Sequence, residues 1–332
     1  MDQLTAHLDR GWDLAQGGDA RGAMSSARRA LELAPDSPEA YNLLGYAASL
    51  DGDCDEAVEA YEQAIALDDG YVEAMLNAAE LYVHPLRDFE QALELCERVL
   101  ELSEYDDEIV DAHLLRFEAY WAMGDDDNAK QALSRLARGP YETAAQNFLV
   151  GRAWVELGEH ERAKPLLAAA LEADPHNPEA CYYAGVLAEA QGDRAQANAH
   201  FLRVRQLEAD VGLPSWSPDE RAFMAFVERA TGTLPTEQRE LLRNAEVFVV
   251  DLPGPEMIVD GVDVHALAML DLLAPTPPAK VVSGGRLRAF VYAINVMRTA
   301  GALDRVEDTI REALERELGH LVEELGGPSG TN

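Results

Sequence analysis

Residues 31–41, Leu-Glu-Leu-Ala-Pro-Asp-Ser-Pro-Glu-Ala-Tyr, and residues 171–181, Leu-Glu-Ala-Asp-Pro-His-Asn-Pro-Glu-Ala-Cys, follow one pattern 140 positions apart. The frame recurs between them. An alanine falls at Ala23, Ala57, Ala92, Ala129, Ala163 and Ala197, in steps of 34, 35, 37, 34 and 34 residues. Twelve residues upstream of four of these stands a glycine, at Gly11, Gly45, Gly151 and Gly185. The irregular units offer Ala79 and Phe117 instead. Gly-acid pairs lie between, at Gly18-Asp19, Gly52-Asp53, Gly124-Asp125, Gly158-Glu159 and Gly192-Asp193. Within a unit the apolar residues recur every three or four positions, as in Ala57, Tyr61, Ala64 and Ile65, which is the period of a helix with one buried face. Each unit therefore reads as two helices joined by a glycine turn, with small residues where the axes approach. One such hairpin cannot bury its own apolar stripe, so the units must stack into a solenoid.

Six units in register resemble the tetratricopeptide repeat family over roughly residues 3–210. Phe117 departs from the family's small-residue rule, and His84-Pro85-Leu86-Arg87-Asp88 replaces the usual turn, so the third and fourth units are expected to be locally distorted. The resemblance implies that the first helix of each hairpin lines a concave groove that receives a partner segment. Helical spacing places Trp12, Tyr46, Leu76, Leu114, Trp121, Phe148 and Tyr182 on that wall, with Asn42, Glu80, Glu118 and Arg152 beside them. The competing reading of the rings is packing between neighbouring units. Rings with carboxylates suit an apolar, basic partner, because the rings supply contact area and the acids supply steering. The family's Lys/Asn clamp for a terminal carboxylate has no counterpart on these faces.

Charge agrees. The 332 residues hold 61 Asp plus Glu against 27 Lys plus Arg, a net charge of −34. A field of that sign repels phosphate backbones and anionic lipid heads, so nucleic acid and membrane surfaces are not expected partners. An apolar content of 48% is ordinary for a folded chain. No apolar run approaches the roughly 18 residues of a membrane span. Cys54, Cys96 and Cys181 form no CxxC pair, which leaves no disulfide framework and points to a reducing, cytoplasmic setting.

The period stops after Leu207. Residues 211–217 read as a linker, and Ser217-Pro218-Asp219-Glu220 as a helix start. Helices are expected over 218–230 and 235–244, a strand over 246–251, an ambiguous stretch over 257–274 that mixes a short strand with a helical run at 263–273, a break at Pro275–Pro278, and a strand over 287–294. A closing helix over about 304–325 carries Val306, Ile310, Leu314, Leu318, Leu321 and Leu325 on one stripe. This α+β lobe, residues 218–326, precedes a flexible tail at 327–332.

The closing helix contains Arg316-Glu317-Leu318-Gly319-His320. With the order of elements around it, this resembles the small bacterial zincin-like metallopeptidases, whose closing helix carries HELGH. Their chemistry needs two histidines four apart on one helical face to hold Zn²⁺, and a glutamate that acts as base on the bound water. The resemblance makes Glu317 the relic of the base and His320 the relic of the second ligand. Arg316 stands at the first ligand, and a guanidinium has no lone pair for a metal. Glu323 and Gly326 stand where the family has a glycine and an acidic ligand. Only His265 adds another imidazole to the lobe. Ser283-Gly284-Gly285 lacks the Lys-Ser/Thr of a phosphate loop.

The expected architecture is thus mainly α, a tetratricopeptide-type α-solenoid followed by a smaller α+β zincin-like lobe. The expected function is a scaffold or adaptor that binds a protein or peptide partner, with a degenerate, non-catalytic lobe and no cofactor. The alternative is a zinc-dependent peptidase with an unusual ligand set, recruited to its substrate by the repeats.

Overall fold

A computed structural model describes residues 2–243, 245–273 and 286–326, with side chains left out at 272, 273, 286 and 322–326. Pro275–Pro278, Ser283–Gly285 and the 327–332 tail lie outside the described residues, as do the side chains of Glu323, Glu324 and Leu325. Contacts divide the chain into two compact units, Met1–Asp174 and Pro175–Asn332. The division falls at the sixth hairpin, upstream of the 211–217 linker read from sequence.

The first unit is five antiparallel helical hairpins. They are α1 (Gln3–Gln16) with α2 (Ala20–Leu33), α3 (Pro38–Asp51) with α4 (Cys54–Leu67), α5 (Val72–Val83) with α6 (Phe89–Leu102), α7 (Asp106–Met123) with α8 (Asp126–Ser134), and α9 (Ala144–Glu156) with α10 (His160–Ala173). The turn acids have a mechanical role. Asp19, Asp53, Asp88 and Asp125 each accept a hydrogen bond from the backbone N–H three residues on, which satisfies one of the bare donors at the start of the second helix. Glu159, one methylene longer, makes no such cap. Ser37 caps α3 in the same way, with Pro38 in the first turn, where a missing N–H costs nothing.

The repeated alanines are core. Ala23, Ala57, Ala92, Ala129 and Ala163 are fully buried. Gly45 shows why its site excludes a side chain, because a Cβ there would lie 2.7 Å from the Tyr61 ring. Both expected distortions are present. In the third hairpin Arg87 adopts the left-handed backbone (φ 55°) that the other hairpins give to glycine. In the fourth, α7 has 18 residues and α8 only nine, against 14 in α2, α4, α6 and α10.

The second unit opens with the sixth hairpin, α11 (Pro178–Ala190) and α12 (Arg194–Val211). There follow α13 (Glu220–Thr233), α14 (Thr236–Leu242), β1 (Glu246–Val250), α15 (Pro255–Val259), β2 (Ala268–Leu273), β3 (Arg286–Tyr292), α16 (Ala293–Ala300), a 3-10 turn (Leu303–Arg305) and α17 (Val306–Gly326). The sheet order is β1-β3-β2, with β1 parallel and β2 antiparallel to β3. Its core joins Leu287, Ala289 and Val291 of β3 to Phe223 and Val227 of α13 and to the α17 stripe. Val306, Ile310 and Leu318 of that stripe are fully buried, and Leu314 is 1% exposed. The run at 263–273 is corrected, since its second half is β2. Pairing with β3 from Ala268↔Val291 to Leu273↔Arg286 overrides a helical composition.

Candidate functional site

In the first unit the wall residues fall one repeat apart, at Trp12, Tyr46, Glu80, Leu114 and Phe148, in steps of 34. The rings of Trp12 and Tyr46 lie 5.3 Å apart, tilted, and both pack on the core while remaining half-exposed. Further along, α5, α7 and α9 enclose a groove of about 590 Å³. Leu76, Leu114, Leu115 and Leu149 form its apolar lining. Around them stand Glu73, Asn77, Glu80, Glu108, Asp111 and Glu118, with His84 and Arg152 as the basic members.

A second ladder runs across this groove. His84, Glu118 and Arg152 also stand 34 residues apart. The Glu118 carboxylate takes His84 Nε2 at 3.1 Å and Arg152 Nη2 at 2.9 Å, so it ties α7 to α9 and to the residue that follows α5. Arg152 reaches Glu156 as well, at 3.6 Å, and lies 6.0 Å from the centre of the Phe148 ring. Its charge is thus committed to Glu118 and Glu156, while Glu73, Glu80, Glu108 and Asp111 are in no ion pair among the described residues. Burial holds the Asp111 carboxyl above the ordinary aspartate range, and Asp107, Glu80 and Glu108 add to the rise, against the Gln146 amide that lowers it. A cation placed there would relieve that strain.

Leu76, Glu80, Leu114, Glu118 and Arg152 meet in this groove, whereas other expected residues are placed elsewhere. Asn42 has no exposed surface. Its amide donates to the Tyr71 hydroxyl and accepts from Asn77 Nδ2, each at 3.2 Å, so it fastens α3 to the next hairpin and does not face a partner. Phe148 is only 6% exposed. Trp121 is 40% exposed but stands outside the groove lining, stacked 5.9 Å from Phe117 at the end of α7. Glu73, Asn77, His84, Glu108, Asp111, Leu115 and Leu149 were not read from the sequence. Counting 34 residues back from Glu118, a wall position read from the sequence, recovers His84.

Tyr182, the sixth wall residue, is covered by its own chain within the second unit. Its hydroxyl donates to Asp263 Oδ2 at 3.2 Å, and its ring lies 4.5 Å from that of His265. Burial and the Asp263 carboxylate push its phenol up to about 12. His265 Nε2 meets Glu208 Oε1 at 2.9 Å, and Arg298 Nη1 meets the same oxygen at 3.1 Å. Asn295 Nδ2 donates to the carbonyls of Val264 and Ala266, both at 2.8 Å. The 261–266 segment is thereby clasped between α12 and α16, and Tyr182 belongs to this clasp.

On α17, Glu317 is half-buried and His320 exposed. Arg316 Nε lies 3.8 Å from Glu317 Oε1. Burial and the nearby Glu317 charge push the Tyr292 phenol up to about 12. Among the described residues, no group of three or more His, Cys, Asp or Glu could hold a metal ion. Among the described residues a zincin donor set is not assembled, since Arg316 stands at the first ligand position and His265 is engaged with Glu208.

Stacked antiparallel hairpins with buried alanine seams define a helical repeat protein. Family models described as tetratricopeptide repeat match residues 8–53, 51–107, 114–178 and 155–211. The chain carries tetratricopeptide repeats, and proteins built from them are generally protein-interaction scaffolds. The chain is similar in fold to PilF of Pseudomonas aeruginosa, with a TM-score of 0.52, 20% identity, and 62% of this chain and 91% of the other covered. PilW, a type IV pilus biogenesis factor, gives a TM-score of 0.54 at 16% identity, with 64% and 95% covered. The Cut9-Hcn1 assembly of the APC/C gives 0.51 at 15% identity, with 61% and 40% covered. No curated protein matches the chain in sequence. Among the described residues no helix is long and apolar enough to cross a membrane.

Proposed function

We propose that the chain is an adaptor whose α5–α7–α9 groove holds a basic, apolar segment of a partner protein. The observation that carries this reading is the leucine lining ringed by four carboxylates in no ion pair, one of them, Asp111, already held above its ordinary range. A leucine or aromatic side chain of the partner would fill the lining, and lysine or arginine would neutralise the rim. The second unit is taken to be a non-catalytic lobe, with kinship to zincin-like peptidases resting on the Glu317–His320 string and the order of elements read around it in the sequence. The test uses three labelled amphipathic helices that share a leucine face and carry lysine, serine or glutamate opposite it. Fluorescence anisotropy is expected to rise with the lysine peptide alone, and hydrogen exchange to slow in α5, α7 and α9. Equal binding of all three, or protection elsewhere, would reject the reading.

A further inference from the structure

The short α8 leaves a second concavity in the first unit. Nine residues end that helix at Ser134, where its counterparts run for 14. Five missing residues remove about 7.5 Å of helix at 1.5 Å each. The chain returns as a loop over residues 135–143, and between it, α8 and α10 lies a depression of about 580 Å³, within the usual size of small-ligand sites. Leu133, Leu136, Pro165 and Leu166 give it an apolar lining, and Trp154 closes one side.

The loop wall is braced. At Gly139 the backbone lies so close to Leu166 that a Cβ would sit 2.5 Å from its methyl carbon. Tyr141 donates its hydroxyl to the Ala137 carbonyl at 2.7 Å and its N–H to Asn147 Oδ1 at 2.8 Å. Asn147 in turn donates to the Tyr141 and Thr143 carbonyls, each at 2.8 Å. The depression is therefore a shaped feature of the resting chain.

Its charge opposes that of the rest of the protein. Residues 128–141 contain no Asp or Glu and hold Lys130, Arg135 and Arg138. Lys130 is paired with Glu159. Arg162 lies 4.5 Å over the Trp154 ring and donates to Ser134 Oγ at 3.3 Å, so its guanidinium is fixed at the rim. Arg138, also at the rim, has no ion-pair partner among the described residues. Glu161 is the single carboxylate of the lining. Two guanidinium groups over a leucine and tryptophan surface are complementary to an anion that carries an apolar body.

We propose that this depression binds a small amphiphilic organic anion, a carboxylate or sulfonate on an aromatic or alkyl body, with Arg138 and Arg162 on the charged head. None of these residues lines the α5–α7–α9 groove. The probe is anilinonaphthalene sulfonate, titrated into the full chain and displaced with dodecanoate. Saturation near one equivalent is expected. Arg138→Ala is expected to weaken binding about tenfold, the scale of one charged hydrogen bond, and Arg138→Lys to retain most of it. The exposed Arg138 side chain makes no described contact, so near-ultraviolet dichroism should not change. Ala137→Trp, which fills the depression, is expected to abolish binding of the probe. The lack of a saturable signal would overturn the proposal, as would full affinity in Arg138→Ala or in Ala137→Trp.

Discussion

Asn42 marks the boundary between architecture and recognition. Its position on a first helix suggested a partner contact, yet both ends of its amide are used on Tyr71 and Asn77 at zero exposure. Asn42→Ala would leave those groups short of a partner, and losing such a bond costs about 1–3 kcal/mol. Urea unfolding should register that loss, and peptide affinity should stay within twofold of wild type. Periodicity reports the face of a helix. It does not report whether a polar atom on that face meets solvent or the next hairpin, so Asn42 and the buried Phe148 were not separable from Glu80 in the sequence. Cys96 makes the complementary point, because burial pushes its thiol up to about 12, which removes thiolate chemistry from an otherwise reactive residue.

At the level of elements, much of the fold was legible because one rule, a 34-residue step, fixes both a hairpin and its neighbour. Counting that step through His84, Glu118 and Arg152 would have exposed the ladder across the groove. Strand partners were not legible. Nothing in residues 268–273 shows that they run antiparallel to 286–292, because pairing depends on residues distant in sequence. The clasp of Tyr182 by the 261–266 segment was hidden for the same reason. It carries a pH dependence of definite sign. Burial lowers the His265 pKa, but the Glu208 hydrogen bond and charge, aided by Asp263, overcome both that and Arg298, and the net shift is upward from 6.5. A raised folded pKa stabilises the protonated form. The contribution is complete below about pH 6.5 and fades as pH rises through the folded value. Thermal unfolding of the wild type should therefore lose stability as pH rises above 6.5 relative to His265→Gln, whose profile should lack that step. Parallel profiles would show that the imidazole does not titrate against Glu208.

For the whole molecule, the distribution of charge organises the account. A net charge of −34 is a cost in self-repulsion that an interaction scaffold can turn into steering. Two concavities of the first unit divide the signs, with carboxylates around the α5–α7–α9 groove and guanidinium groups over the depression beside α8. Steering is screened by salt, whereas leucine contacts are not. The most direct measurement is calorimetric titration of the lysine/leucine helix into the full chain at low and high salt, for wild type and for Glu80→Lys combined with Asp111→Lys. Both substituted side chains reach solvent, so the helical signal should be unchanged. Wild-type affinity is expected to fall at least tenfold from low to high salt, and the double variant to bind weakly at both. Affinity indifferent to salt and to the double reversal would contradict an acidic groove as the seat of recognition.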